Sequence, residues 1–79
     1  MQTLYVHLSG LDAAIVEVDE MPKPTDVIVV GRNPRRRDGK PLTFILDEVN
    51  TVIFPMHMVT FIEVMPTGEE EEIETFIRE

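Results

Sequence analysis

The chain has 79 residues and a mass of 9.1 kDa, enough for one small domain and too little for a second core or a cofactor-binding α/β unit. Its 43% hydrophobic content allows folding, but a domain of this size buries only roughly 60% of its unfolded surface and gains from disulfides, a metal or self-association. The absence of cysteine removes disulfides and thiolate metal sites, and a net charge of −8 opposes a generic hold on nucleic acid or anionic lipid.

In chain order, the N-terminus (Met-Gln-Thr-Leu-Tyr-Val-His) has no basic leader. No apolar run approaches the ~20 residues of a membrane span, so the expectation is a soluble, cytoplasmic protein. Residues 3–8 alternate, with Leu4, Val6 and Leu8 on one face and Tyr5 and His7 on the other. Ser9-Gly10-Leu11-Asp12 reads as a turn. Residues 13–20 alternate again, placing Ala14, Val16 and Val18 inside while Glu17 and Asp19 face water, and Pro22 and Pro24 end that strand.

Residues 26–31 (Asp-Val-Ile-Val-Val-Gly) form a continuous apolar run, which predicts a strand buried on both faces or placed at a bend. Asn33-Pro34 and Asp38-Gly39 are turn dipeptides, so residues 31–41 read as the tip of a long hairpin with a return strand over 42–46. That tip holds Arg32, Arg35, Arg36, Arg37 and Lys40 against Asp38 alone. Residues 51–54 and 57–65 form two further strands interrupted at Pro55, which predicts a corner where one ribbon passes between sheets.

The tail from Thr67 carries six glutamates and one arginine. Thr67 stands three residues before Glu70, a capping-box spacing, and Ile73, Phe76 and Ile77 follow at i, i+3 and i+4 as one apolar stripe on a short helix. Such a helix is marginal alone. It closes the end of its own barrel, docks on a partner, or stays a disordered acidic tail. The domain plan is therefore a small β-barrel over 1–66 and an acidic amphipathic segment over 67–79.

Residues 51–66 (Thr-Val-Ile-Phe-Pro-Met-His-Met-Val-Thr-Phe-Ile-Glu-Val-Met-Pro) resemble the second signature of the Sm-like family, including its bacterial RNA-chaperone branch. In that resemblance residues 52–54 look like the fourth strand, Pro55-Met56-His57 like the one-turn linker, and residues 59–64 like the fifth strand. His57 falls on the family's histidine, while Met56 replaces the basic residue before it. Val6-His-Leu-Ser-Gly10 and Val18-Asp-Glu-Met21 are similar to the first signature, but Pro22-Lys23-Pro24 stands where the RNA-binding members carry a base-contacting Asn. The resemblance implies a five-stranded SH3-like barrel that assembles through its last strands and, in some members, binds RNA.

The arginines at 32, 35, 36 and 37 offer planar donors for phosphate or carboxylate. The alternatives are a solvated loop or pairing with Glu69, Glu70, Glu71 and Glu72 of the same or a neighbouring subunit. No aromatic residue interleaves them in sequence, which removes the stacking half of a single-strand surface. His57 either contacts ligand phosphates or bases, as the resemblance implies, or is half-buried on a backbone carbonyl at a subunit contact. The methionines flanking the corner, Met56, Met58 and Met65, read as core filler or an adaptable contact surface. Ser9, the only serine, lacks a nucleophile-elbow context, adjacent carboxylates on strands face opposite ways, and histidine spacing gives no metal site.

The reading is therefore all-β: a five-stranded SH3-like, Sm-like small barrel with a long hairpin arm and a short C-terminal helix. It has no catalytic, cofactor or metal residues. Its expected partner is itself, with Val59, Phe61, Ile62, Val64, Ile73, Phe76 and Ile77 as contacts. The reason is local: a strand apolar on both faces, Val59 and Phe61 against Ile62 and Val64, cannot be half solvated. The competing expectation is an RNA-binding protein using Arg32, Arg35, Arg36, Arg37, Lys40 and His57.

Overall fold

A computed structural model describes residues 1–66. The expected helix after Thr67, with Ile73, Phe76 and Ile77, lies outside the described residues. Five strands, β1 (Gln2–Leu8), β2 (Ala14–Val18), β3 (Ile28–Arg35), β4 (Thr51–Pro55) and β5 (Val59–Val64), form one antiparallel sheet in the order β4-β3-β2-β1-β5. The sheet curls into a half-barrel, and β4 and β5 are its two outer edges.

Period-two alternation sets the concave face. Leu4, Val6 and Leu8 of β1 and Ala14, Val16 and Val18 of β2 are buried as the sequence predicts, joined by Val29, Phe54 and Leu42. Strand β3 departs from expectation. Val29 is buried, but Ile28 and Val30 are 44% and 48% exposed, because β3 has the core on one side only. On its inner face Gly31 lies against Val16, where a Cβ would come within 2.6 Å of the Val16 Cβ.

Two irregularities shift the phase of the alternation. Between Glu17↔Arg32 and Ile15↔Arg35 strand β3 carries one extra residue, and Asn33 there has φ 54°, a left-handed conformation that Asn tolerates better than most residues. Asn33-Pro34 thus forms a bulge inside β3 and not the expected turn. In β5 the pairs His7↔Phe61 and Leu8↔Val59 leave Thr60 as the extra residue, and its hydroxyl donates to the His7 carbonyl at 3.1 Å. The bulge places Val59 and Ile62 together against the core and turns Phe61 outward, so Val59 and Phe61 do not share a face.

The hairpin arm is also corrected. A tight turn follows β3, closed by Arg36 N–H to the Lys40 carbonyl at 2.8 Å and Gly39 N–H to the Arg36 carbonyl at 2.9 Å, with Gly39 at φ 87°. No return strand forms over 42–46. Leu42 enters the core, 3% exposed, and Phe44 and Ile45 pack against it, so these apolar residues fill the concave face while β3 pairs with β4. The chain does turn at Pro55, but it does not pass between two sheets: a single 3₁₀ turn, Met56–Met58, carries it from one edge of the one sheet to the opposite edge.

Candidate functional site

The basic segment straddles the end of β3 and the turn after it, and most of it is neutralised within the fold. Arg35 Nη2 donates to Glu17 Oε2 at 2.7 Å and Nη1 to the Asn33 carbonyl at 2.7 Å, while Asn33 Nδ2 donates to Glu17 Oε1 at 2.9 Å. These hydrogen bonds, Asn33's first and then Arg35's, hold the Glu17 carboxyl below its ordinary range. The charges of Arg35 and Arg32 add to the effect, and burial opposes it. Arg32 pairs with Asp19, and Arg36 pairs with Asp38 at 3.2 Å. Among the described residues three of the four arginines therefore meet acids of the fold, Asp19, Glu17 and Asp38; the expected pairing with Glu69, Glu70, Glu71 and Glu72 lies outside the described residues. Among the described residues Arg37 and Lys40 make no ion pair.

The structure supplies what the linear order hid. Tyr5, from β1, lines a shallow cleft of about 390 Å³ together with Arg36, Arg37, Asp12 and Asp38. An aromatic ring does stand beside the arginines, brought there by the register Tyr5↔Ile15↔Arg35 across β1, β2 and β3. Tyr5 begins a row across the convex face. Its ring centroid lies 4.7 Å from that of His7, and His7 stacks on Phe61 at 4.0 Å with the planes 15° apart. With its proton on Nε2, His7 donates to Glu63 Oε1 at 2.8 Å. Sequence alternation placed Tyr5 and His7 on one face, but their cross-strand partners depend on the β1–β5 register.

His57 is exposed in the 3₁₀ turn of the single chain. It is also remote from the basic segment. Arg32 sits opposite Thr51 at the start of β4, Pro55 ends that strand about 13 Å further on, and His57 lies in the turn beyond it. The geometry does not gather His57 and the arginines into one surface. Among the described residues no three His, Asp or Glu side chains converge as a metal site would require.

Neither a protein-family model nor a curated protein nor a solved structure matches the chain. Function is therefore argued from the edges and faces of the sheet. At the β4 edge, Ile53 is 59% exposed and pairs with Val30 to make an outward apolar patch beside Ile28. At the β5 edge, Phe61 is 55% and Val64 46% exposed.

Backbone parity says which groups each edge offers. Met65 N–H donates to the Thr3 carbonyl, so Glu63 and Phe61 also aim their amides at β1, and Ile62 and Val64 point theirs outward. Asn33 N–H donates to the Asn50 carbonyl and Met56 N–H to that of Val27, so Thr51 and Ile53 face outward on β4. Pro55 has no amide to offer and blunts that end of the edge.

Proposed function

We propose that the chain is a non-catalytic assembly module, an SH3-like, Sm-like small β-barrel that associates with copies of itself through β4 and β5. The observation that carries this reading is that both outer strands combine backbone groups unpaired among the described residues with exposed apolar side chains, Ile53 on one and Phe61 and Val64 on the other. A natural sheet edge with those two properties is a template for another strand. Val59 and Ile62 contribute through their backbone, since their side chains pack against the core. Ile73, Phe76 and Ile77 are the further contacts assigned to the tail. Sedimentation at tens of micromolar tests the proposal: species at multiples of 9.1 kDa support it, and a 9.1 kDa species alone refutes it.

A second reading, an Sm-like RNA binder, is favoured by one observation, Tyr5 beside Arg36 and Arg37. It differs from the first in a measurable slope. If only Arg37 and Lys40 meet phosphates, log affinity for an oligouridine falls with log salt at about −1.4, whereas all five basic side chains give about −3.5. The assembly reading expects no retention at physiological salt, whereas the RNA reading expects His57→Ala to weaken oligouridine binding without changing oligomer size.

A further inference from the structure

Strands β2 and β3 part company halfway. Their ladder runs through Ile15↔Arg35 and Glu17↔Arg32 and stops, although β3 continues back to Ile28. Between them the chain folds on itself: Asp26 N–H donates to the Lys23 carbonyl at 3.0 Å, and Lys23 N–H donates to Asp26 Oδ2 at 2.8 Å. This closed turn, preceded by Pro22 and containing Pro24, cannot extend the ladder. The result is a cleft of about 640 Å³ between the loop and the first half of β3.

The cleft is a strand-shaped vacancy by two independent measures. Backbone parity is the first. Residues 27 and 33 bond toward β4, so Val29 and Gly31 do the same, and Ile28 and Val30 turn their N–H and C=O groups to the opposite side, into the cleft. The β2 ladder reaches neither of them. The lining is the second. Met21 is 46% exposed, Val27 75%, Ile28 44% and Val30 48%, an aliphatic wall suited to alternate side chains of an extended segment.

Charge selects the occupant. Asp19, Glu20 and Asp26 line the cleft against Lys23, and although Arg32 holds Asp19, the balance remains acidic in a chain of net charge −8. The tail, with its six glutamates, is repelled from such a site. We propose that this cleft docks an extended segment of a basic partner protein, with Lys or Arg alternating with aliphatic residues, which pairs as an added strand with Ile28 and Val30. The backbone groups it uses are those of β3 that face away from β4, so they differ from the outward groups of the β4 and β5 edges, but the side chains of Ile28 and Val30 are shared with the apolar patch beside Ile53.

The probe is an acetylated, amidated Lys-Val-Lys-Val-Lys-Val hexapeptide titrated into the full chain and followed by amide chemical shifts and hydrogen exchange. Saturable shifts confined to residues 18–30, with slowed exchange at Ile28 and Val30, are expected. The fully N-methylated peptide, which keeps the side chains and charge but has no amide to donate, should bind at least about tenfold more weakly, as should the Glu-Val counterpart. Val30→Lys, at an exposed position, should lower affinity by a similar factor while leaving the fold's spectrum intact. No shift at millimolar peptide overturns the proposal, as do shifts mapping to Thr51–Pro55 or Val59–Val64 or equal binding of the acidic peptide. In the free protein, amides of Ile28 and Val30 as protected as those of Val29 and Gly31 would overturn its geometric premise.

Discussion

Replacing Gly31 by alanine adds one methyl group where β3 lies close against Val16 of β2. The new Cβ would lie 2.6 Å from Val16 Cβ, 2.7 Å from Cγ2 and 3.0 Å from Cγ1, against an optimal carbon–carbon separation of about 3.5–4.0 Å. The nearest atom is itself a Cβ, so no rotamer of Val16 gives relief and the two strands must separate by about 1 Å. Val16 is fully buried, which leaves no solvent side to yield. Overpacking of this kind costs about 1–3 kcal/mol. The lower entropy of the unfolded alanine chain returns only about 0.4–1 kcal/mol, so destabilisation of about 1–2 kcal/mol is expected. In a domain this small each kcal/mol shifts the midpoint by about 4–8 °C. Urea and thermal unfolding at matched protein concentration measure the change. Adding Val16→Ala removes Cγ1 and Cγ2 but leaves the 2.6 Å contact, so the double variant stays below wild type. Wild-type or higher stability for Gly31→Ala would refute the close-contact argument.

Other outcomes follow from the same geometry. Leu42→Ala, at a 3% exposed position outside any strand, should cost about 2–5 kcal/mol in urea unfolding, as for any buried leucine; a cost under about 0.5 kcal/mol would place residues 42–46 outside the core. Glu17 has its carboxyl held low by Asn33 and Arg35, so its contribution to stability is present above the ordinary carboxylate pKa and is lost as pH falls through the depressed value. Glu17→Gln should therefore lower stability at neutral pH and flatten the acid limb of a melting-temperature profile, and an unchanged limb would contradict the assigned hydrogen bonds. Val64→Pro removes an amide that points away from β1, which an edge strand tolerates, so sedimentation should show a folded 9.1 kDa species in place of larger ones.

Local pattern carried much of this protein. Alternation in residues 3–8 and 13–20 identified the inner face of β1 and β2 residue by residue, and Pro55 marked the turn between β4 and β5, because side-chain direction in a strand and the missing amide of proline depend on the chain alone. Pairing is a different matter. One extra residue at Asn33 and another at Thr60 re-aim everything beyond them, and neither leaves a periodic trace, since a bulge exists only relative to the strand opposite. For the same reason the acids that hold Arg32 and Arg35, the stacking of His7 on Phe61 and the gap beside Ile28 and Val30 belong to the tertiary structure. Leu42 was misplaced on a strand because its apolar neighbours suit a ladder equally well; the unfilled concavity of a half-barrel, which no local window contains, drew it inward.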